Sequence, residues 1–301
     1  MNKNVIFSLI ALGFCNSGCQ NIQTNKTQFE KIDSSANPSS NNIIQSDTTK
    51  NIVYFWDKID FSDTSRLYSP DYGEQNFSNY IHLFTLSNEE SIIISIKKLI
   101  EKSKNNSNIL RHFENLFAKY LYDVNSPFYS EKFYVIVLET LVKSDHIDSI
   151  QKSKYKTLLK LASRNNIGTI ASDFNFKTSD QENNYLHNYK SNYIILFFYQ
   201  PDCPNCQESI EYLKKDPLFN AKIKEKDLTI LLIYPDGNYD IWNDYKHNIP
   251  SNWVNGIDIN QNILKKGLYD LKASPTLYLL NKDKEVVLKD CLIQEIINYP
   301  Y

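Results

Sequence analysis

Glycine is scarce in this chain, with 7 among 301 residues, which argues against glycine-rich loops that cradle phosphates. Neither sign of charge is in excess. Against 33 Lys and Arg stand 35 Asp and Glu, a formal net charge of -2, so no nucleic-acid partner is indicated. Long apolar runs are also missing. The longest at the N-terminus, Val5 to Phe14, gives about 10 residues where a spanning helix needs about 20. There is no internal repeat, and cysteine occurs only at Cys15, Cys19, Cys203, Cys206 and Cys291. What is abundant is aromatic surface, 21 Tyr and 16 Phe, which favours well-filled cores. The length suffices for two domains with one core each.

The first nineteen residues have the form of an export signal. Lys3 precedes the short apolar stretch, and Asn16-Ser17-Gly18-Cys19 follows it. Small residues before a cysteine resemble the lipobox of bacterial lipoproteins, in which that cysteine is lipidated and becomes the mature N-terminus. Asn16 departs from the aliphatic residue usual there, and Cys15 is the poorer candidate because Phe14 precedes it. The simpler alternative is a cleaved signal with Cys19 a bystander. Either form delivers the chain to a compartment where disulfides persist. From Gln20 to about Lys50, Asn, Ser, Thr and Gln dominate. That segment cannot bury enough to fold and reads as a disordered tether.

Residues 51–166 read as an all-α domain. Ile92, Ile93, Ile96, Leu99 and Ile100 keep helical spacing, as do Ile109, Leu110, Phe113, Leu116, Phe117, Tyr120 and Leu121. A third run carries Phe133, Val137, Leu138, Leu141 and Val142, and a fourth Ile147, Ile150, Leu158, Leu159, Leu161 and Ala162. The loop Tyr122-Asp-Val-Asn-Ser-Pro127 separates the second run from the third. Such stripes are bundle core far more often than cofactor sites, and His82, His112 and His146 are isolated.

Residues 167–301 read as an α/β domain, with Arg164 to Gly168 as the junction. A short hairpin over 171–181 leads to a buried strand, Ile194 to Tyr199. A helix follows, then a second buried strand, Leu228 to Tyr234. A partly helical insertion holds Trp242 and Trp253, and 261–268 predicts another helix. A β-hairpin turning at Asn281 and a last helix from about Cys291 to Asn298 complete the chain.

Chemistry concentrates at Pro201-Asp-Cys203-Pro204-Asn205-Cys206. Pro204 suits the first helical position, which places Cys203 at the N-cap and Cys206 one turn later on the same side. The partial positive charge of a helix N-terminus stabilises a thiolate, the form that attacks a disulfide. At this spacing Cys206 can resolve the mixed disulfide formed by Cys203. Asp202, beside Cys203, opposes the helix dipole. Glu208 and Glu211, in the next turns, are candidate proton carriers, or plain solvent-facing carboxylates.

With Pro275-Thr276-Leu-Tyr-Leu-Leu280 added, 167–301 resembles the thioredoxin superfamily, in particular its exported, membrane-tethered thiol–disulfide oxidoreductases. The resemblance implies that Pro275 is a cis-proline facing the redox pair and that Ser274, Pro275 and Thr276 position a substrate backbone. The helical half, with Trp56-Asp57, Asp123 to Pro127 and Arg164 to Gly168, resembles an uncharacterised domain that precedes such modules in lipoproteins of two-membrane bacteria. The implied protein is a periplasm-facing, lipid-anchored oxidoreductase, by analogy a reductase. It exchanges disulfides with envelope proteins and is re-reduced by an upstream protein partner, with no metal, flavin or nucleotide.

Three features depart from the pattern. Thioredoxin has a buried Asp six residues before its first cysteine, where this chain has Phe197, and Trp directly before it, where this chain has Asp202. The dipeptide Pro204-Asn205 is neither of the best-known ones. Rival readings remain. A zinc half-site would need two more ligands from His187, His247 or Cys291. Copper delivery expects a wider cysteine pair, and a peroxiredoxin expects Thr where Gln200 stands. A non-enzymatic envelope module with an inert Cys203–Cys206 disulfide is the alternative from another class. Cys291 reads as a buried helix residue rather than a third redox partner.

Overall fold

The computed structural model describes residues 52–301. The export signal, Cys19 and the tether over 20–50 lie outside the described residues.

The helical half forms around α1 (Gln75–His82), α2 (Glu89–Ser103), α3 (Ser107–Phe117), α4 (Glu131–Lys143) and α5 (Ser149–Ala162). Three of the four longer helices start where the sequence supplies a side-chain cap. Asn88 accepts from the Ser91 N–H, Asn106 from those of Asn108 and Ile109, and Asp148 from that of Gln151. The apolar stripes then face one core. Ile92, Ile96, Leu99 and Ile100 of α2 meet Ile109, Leu110, Phe113, Leu116 and Phe117 of α3 and Val137, Leu138 and Leu141 of α4. Trp56 fills its centre, with ring centroids 5.0 Å from Phe113 and 5.4 Å from Tyr80, and full burial of such side chains contributes about 1.5–3 kcal/mol each. The fourth stripe is only partly buried. Ile147, Tyr155 and Ala162 enter the core, but Ile150 is exposed at 82%, because α5 covers the bundle from outside and only one edge of it is sealed.

The α/β half is built on one seven-stranded sheet. Its strands are β1 (Asn175–Thr178), β2 (Asn183–Tyr185), β3 (Tyr193–Phe198), β4 (Leu228–Tyr234), β5 (Val254–Ile257), β6 (Thr276–Asn281) and β7 (Val286–Lys289), in the order β2-β1-β5-β4-β3-β6-β7. β3 runs parallel to β4 and antiparallel to β6, with Phe198 opposite Thr276. The alternation along β3 divides the core. Ile195 and Phe197, with Tyr199 just beyond, face the layer that holds the helix after β3, while Ile194, Leu196 and Phe198 face the other layer.

β5 occupies part of the stretch that the sequence presents as a partly helical insertion. Val254-Asn255-Gly256-Ile257 carries no strand alternation, yet it joins β4 to the β1–β2 hairpin. Gly256 makes this possible, since a Cβ there would lie 2.3 Å from the Phe176 ring. The helix expected over 261–268 is a single turn, Asn262–Lys265.

The two halves are joined by a buried ionic cluster. Lys272 Nζ lies 2.5 Å from Asp290, 2.7 Å from Glu131 and 3.4 Å from Asp270, and Lys289 Nζ lies 2.5 Å from Glu131. Tyr122 and Tyr129 donate to Asp270 and Asp290. Burial alone would push the Lys272 ammonium down, but Asp290, Glu131 and Asp270 outweigh it and hold it well above the usual lysine range. Replacing Lys272 by Met would leave carboxylates facing one another without that cation. We expect this to cost about 3–5 kcal/mol, read as a lower midpoint in denaturant unfolding. A midpoint within error of the parent would show that the cluster does not hold the halves together.

Candidate redox site

The site is assembled where β3 ends and α6 (Pro204–Lys215) begins. Pro204 occupies the first turn and Cys203 is the N-cap. The backbone N–H of Cys206 donates to Cys203 Sγ at 3.1 Å, and Cys203 Sγ–H donates to the Ser274 carbonyl at 3.3 Å. Cys203 is half-buried. Cys206 is fully buried, on the face of α6 that also carries Ile210 and Leu213. Burial is the main reason that the Cys206 thiol is pushed far above the usual cysteine range, and the hydrogen bond with Cys203 adds to it. One sulfur is therefore presented at the surface, with a donor aimed at it. The other is held protonated behind it.

The Ser274–Pro275 peptide bond is cis. Ser274 brings its carbonyl to Cys203, and Thr276 starts β6, its hydroxyl donating to the Ala273 carbonyl at 2.6 Å. The fold thus brings Cys203, Cys206, Ser274, Pro275 and Thr276 to one corner of the sheet. It does not bring in Glu208 or Glu211. Both are exposed on α6, and Glu211 is spent on Lys214 at 2.6 Å, which holds its carboxyl below the usual range. Phe197 is buried in the same core as Cys206, and Asp202 is exposed. Gln200 is tied to Asp236 at 2.7 Å.

Cys291 is buried in the same core as Cys206, just ahead of the last helix (Ile293–Ile297) rather than in it, with its Sγ–H turned to the Leu277 carbonyl at 3.5 Å, and His187 points a ring nitrogen at the Ala171 carbonyl at 2.8 Å. Among the described residues no three His, Cys, Asp or Glu side chains come together as metal ligands.

Two features escape the sequence. Tyr245 packs into the same core as the cysteine pair, and its hydroxyl is pushed up by burial first and then by Cys206 and Cys203. The second is a groove of about 350 Å³ whose walls include Asn205, Ser274 and Pro275 together with Val124, Asn125 and Tyr129 of the helical half.

Comparison with known proteins agrees with this fold. A thioredoxin-like protein from Bacteroides caccae is 35% identical, and its crystal structure superposes with a TM-score of 0.76 over 89% of this chain and 97% of that one. This chain belongs to the thioredoxin-like proteins. Within this thioredoxin-like protein, residues 167–289 match the AhpC/TSA family and residues 20–165 match DUF5106, a domain of unknown function. The C-terminal domain of an uncharacterised protein from Bacteroides fragilis is 39% identical, covering 44% of this chain and 94% of its own, with a TM-score of 0.43. The thioredoxin domain of a thiol-disulfide oxidoreductase from Bacteroides vulgatus is 21% identical over 42% of this chain and 89% of its own, with a TM-score of 0.36. No curated protein matches the chain significantly.

Proposed function

We propose that the protein is a thiol–disulfide oxidoreductase acting on protein disulfides. The observation that carries this reading is the pair itself, with Cys203 Sγ at a helix N-cap, 3.1 Å from a backbone donor, and Cys206 sealed behind it. The Cys203 thiolate attacks one sulfur of a substrate disulfide. That bond breaks, a mixed disulfide forms, and the other substrate sulfur leaves as a thiolate. Cys206, losing its proton, attacks Cys203 Sγ. The Cys203–Cys206 disulfide forms and the second substrate thiol is released. Two electrons have moved to the substrate, and a dithiol partner protein returns the pair to its reduced form. The direction we propose is reduction.

The experiment is turnover. Residues from Asn51 onward, supplied with dithiothreitol, should reduce a protein disulfide faster than dithiothreitol does alone. No acceleration would count against the reading.

We further propose that the protein works in the cell envelope, anchored through lipid on Cys19, a reading supported by the sequence from Lys3 to Cys19. Cys19→Ala should abolish incorporation of labelled fatty acid. Equal labelling of variant and parent would remove the anchor from the account.

A further inference from the structure

The reaction above gives the helical half no part, yet the groove beside the pair is lined from both halves. Val124, Asn125 and Tyr129 form one wall, and Asn205 and the Ser274-Pro275 bond the other. Ser274 touches Cys203 and also lines the groove. A substrate sulfur in contact with Cys203 therefore places the adjoining residue, about 3.8 Å further along the chain, over it.

The groove carries charge of one sign. Asp290 and Glu295 line it, and no lysine, arginine or histidine does. Asp290 belongs to the ionic cluster, in which Lys272 and Lys289 face three carboxylates, Glu131, Asp270 and Asp290, leaving one negative charge over. Its side chain is 2% exposed. One of its oxygens takes Lys272 and Tyr129, and the other, Oδ1, has no donor. Its backbone is held at φ 49°, in the left-handed region, as the turn out of β7 directs the carboxylate inward. A buried carboxylate left partly unpaired makes the groove floor electronegative, and a cation above it is favoured.

We propose, resting on the oxidoreductase reading, that this groove is a specificity subsite. With one wall supplied by the helical half, it selects substrate proteins that carry a lysine or arginine beside the reactive cysteine.

The test uses the chain from Asn51 onward and two peptide disulfides that differ only in Lys or Glu next to the cysteine, with 2-hydroxyethyl disulfide as a small probe. The parent should favour the Lys peptide in kcat/KM by on the order of fivefold. Asp290→Asn should bring that ratio down toward one. Val124→Lys leaves the ionic cluster intact and places a cation at the rim, and should turn the preference toward the Glu peptide. A parent ratio near one, or a ratio unchanged in both variants, overturns the subsite. In that case continued turnover of 2-hydroxyethyl disulfide keeps the oxidoreductase reading in place. No turnover of any of the three disulfides by the parent overturns both.

Discussion

With Cys203 replaced by serine, reduction of a protein disulfide should fall to the rate of dithiothreitol alone. Neither of the other cysteines among the described residues can take over. Cys206 is fully buried and its thiol is pushed far up by that burial, and Cys291 is buried and likewise pushed up. With their thiols pushed up and their side chains buried, neither is a ready thiolate near neutral pH, so neither is placed to attack a substrate. The same asymmetry predicts the order of alkylation. Iodoacetamide at neutral pH, given to the reduced protein, should modify Cys203 and leave Cys206 and Cys291 largely free, as read by peptide mass. Residual catalysis in Cys203→Ser, or modification of Cys206 ahead of Cys203, would show that the exposed sulfur is not the attacker.

The second large effect belongs to Cys206→Ser. Here the attacker remains and the resolver is gone, so the first exchange proceeds and the second cannot. Mixed disulfides between Cys203 and client proteins should accumulate and be released by reductant, whereas Cys203→Ser should trap few or none. The geometry makes the contrast sharp. Cys206 sits one turn along the same helix, its N–H directed at Cys203 Sγ, so its sulfur is the one placed to break the mixed disulfide. A trap that works in Cys203→Ser and fails in Cys206→Ser would reverse the two roles.

How much of this was legible in the chain follows from which interactions are local. The stripes of α2 and α3 could be read because burial on one helix face writes a 3.6-residue period. The N-cap cysteine could be read because Pro204 and Cys206 stand beside it. Ile150 misled, since an apolar residue at the right spacing need not face the core. β5 was hidden, because Gly256 answers to the Phe176 ring and Asn255 to Tyr199 and Trp242 rather than to any strand propensity. The ionic cluster was hidden more deeply. Lys272 and Glu131 lie 141 residues apart, and nothing near either announces the other. The groove shares that origin, one wall coming from a loop that reads in sequence only as a break between helices.

The most direct measurement of the central claim is a redox equilibrium of the Cys203/Cys206 pair against a thiol buffer of stepped potential. The account predicts one two-electron transition near thioredoxin's, about -270 mV, as a reductase requires. A transition near about -120 mV would reverse the direction of electron flow. A pair that cannot be cycled between dithiol and disulfide at any step would contradict the account.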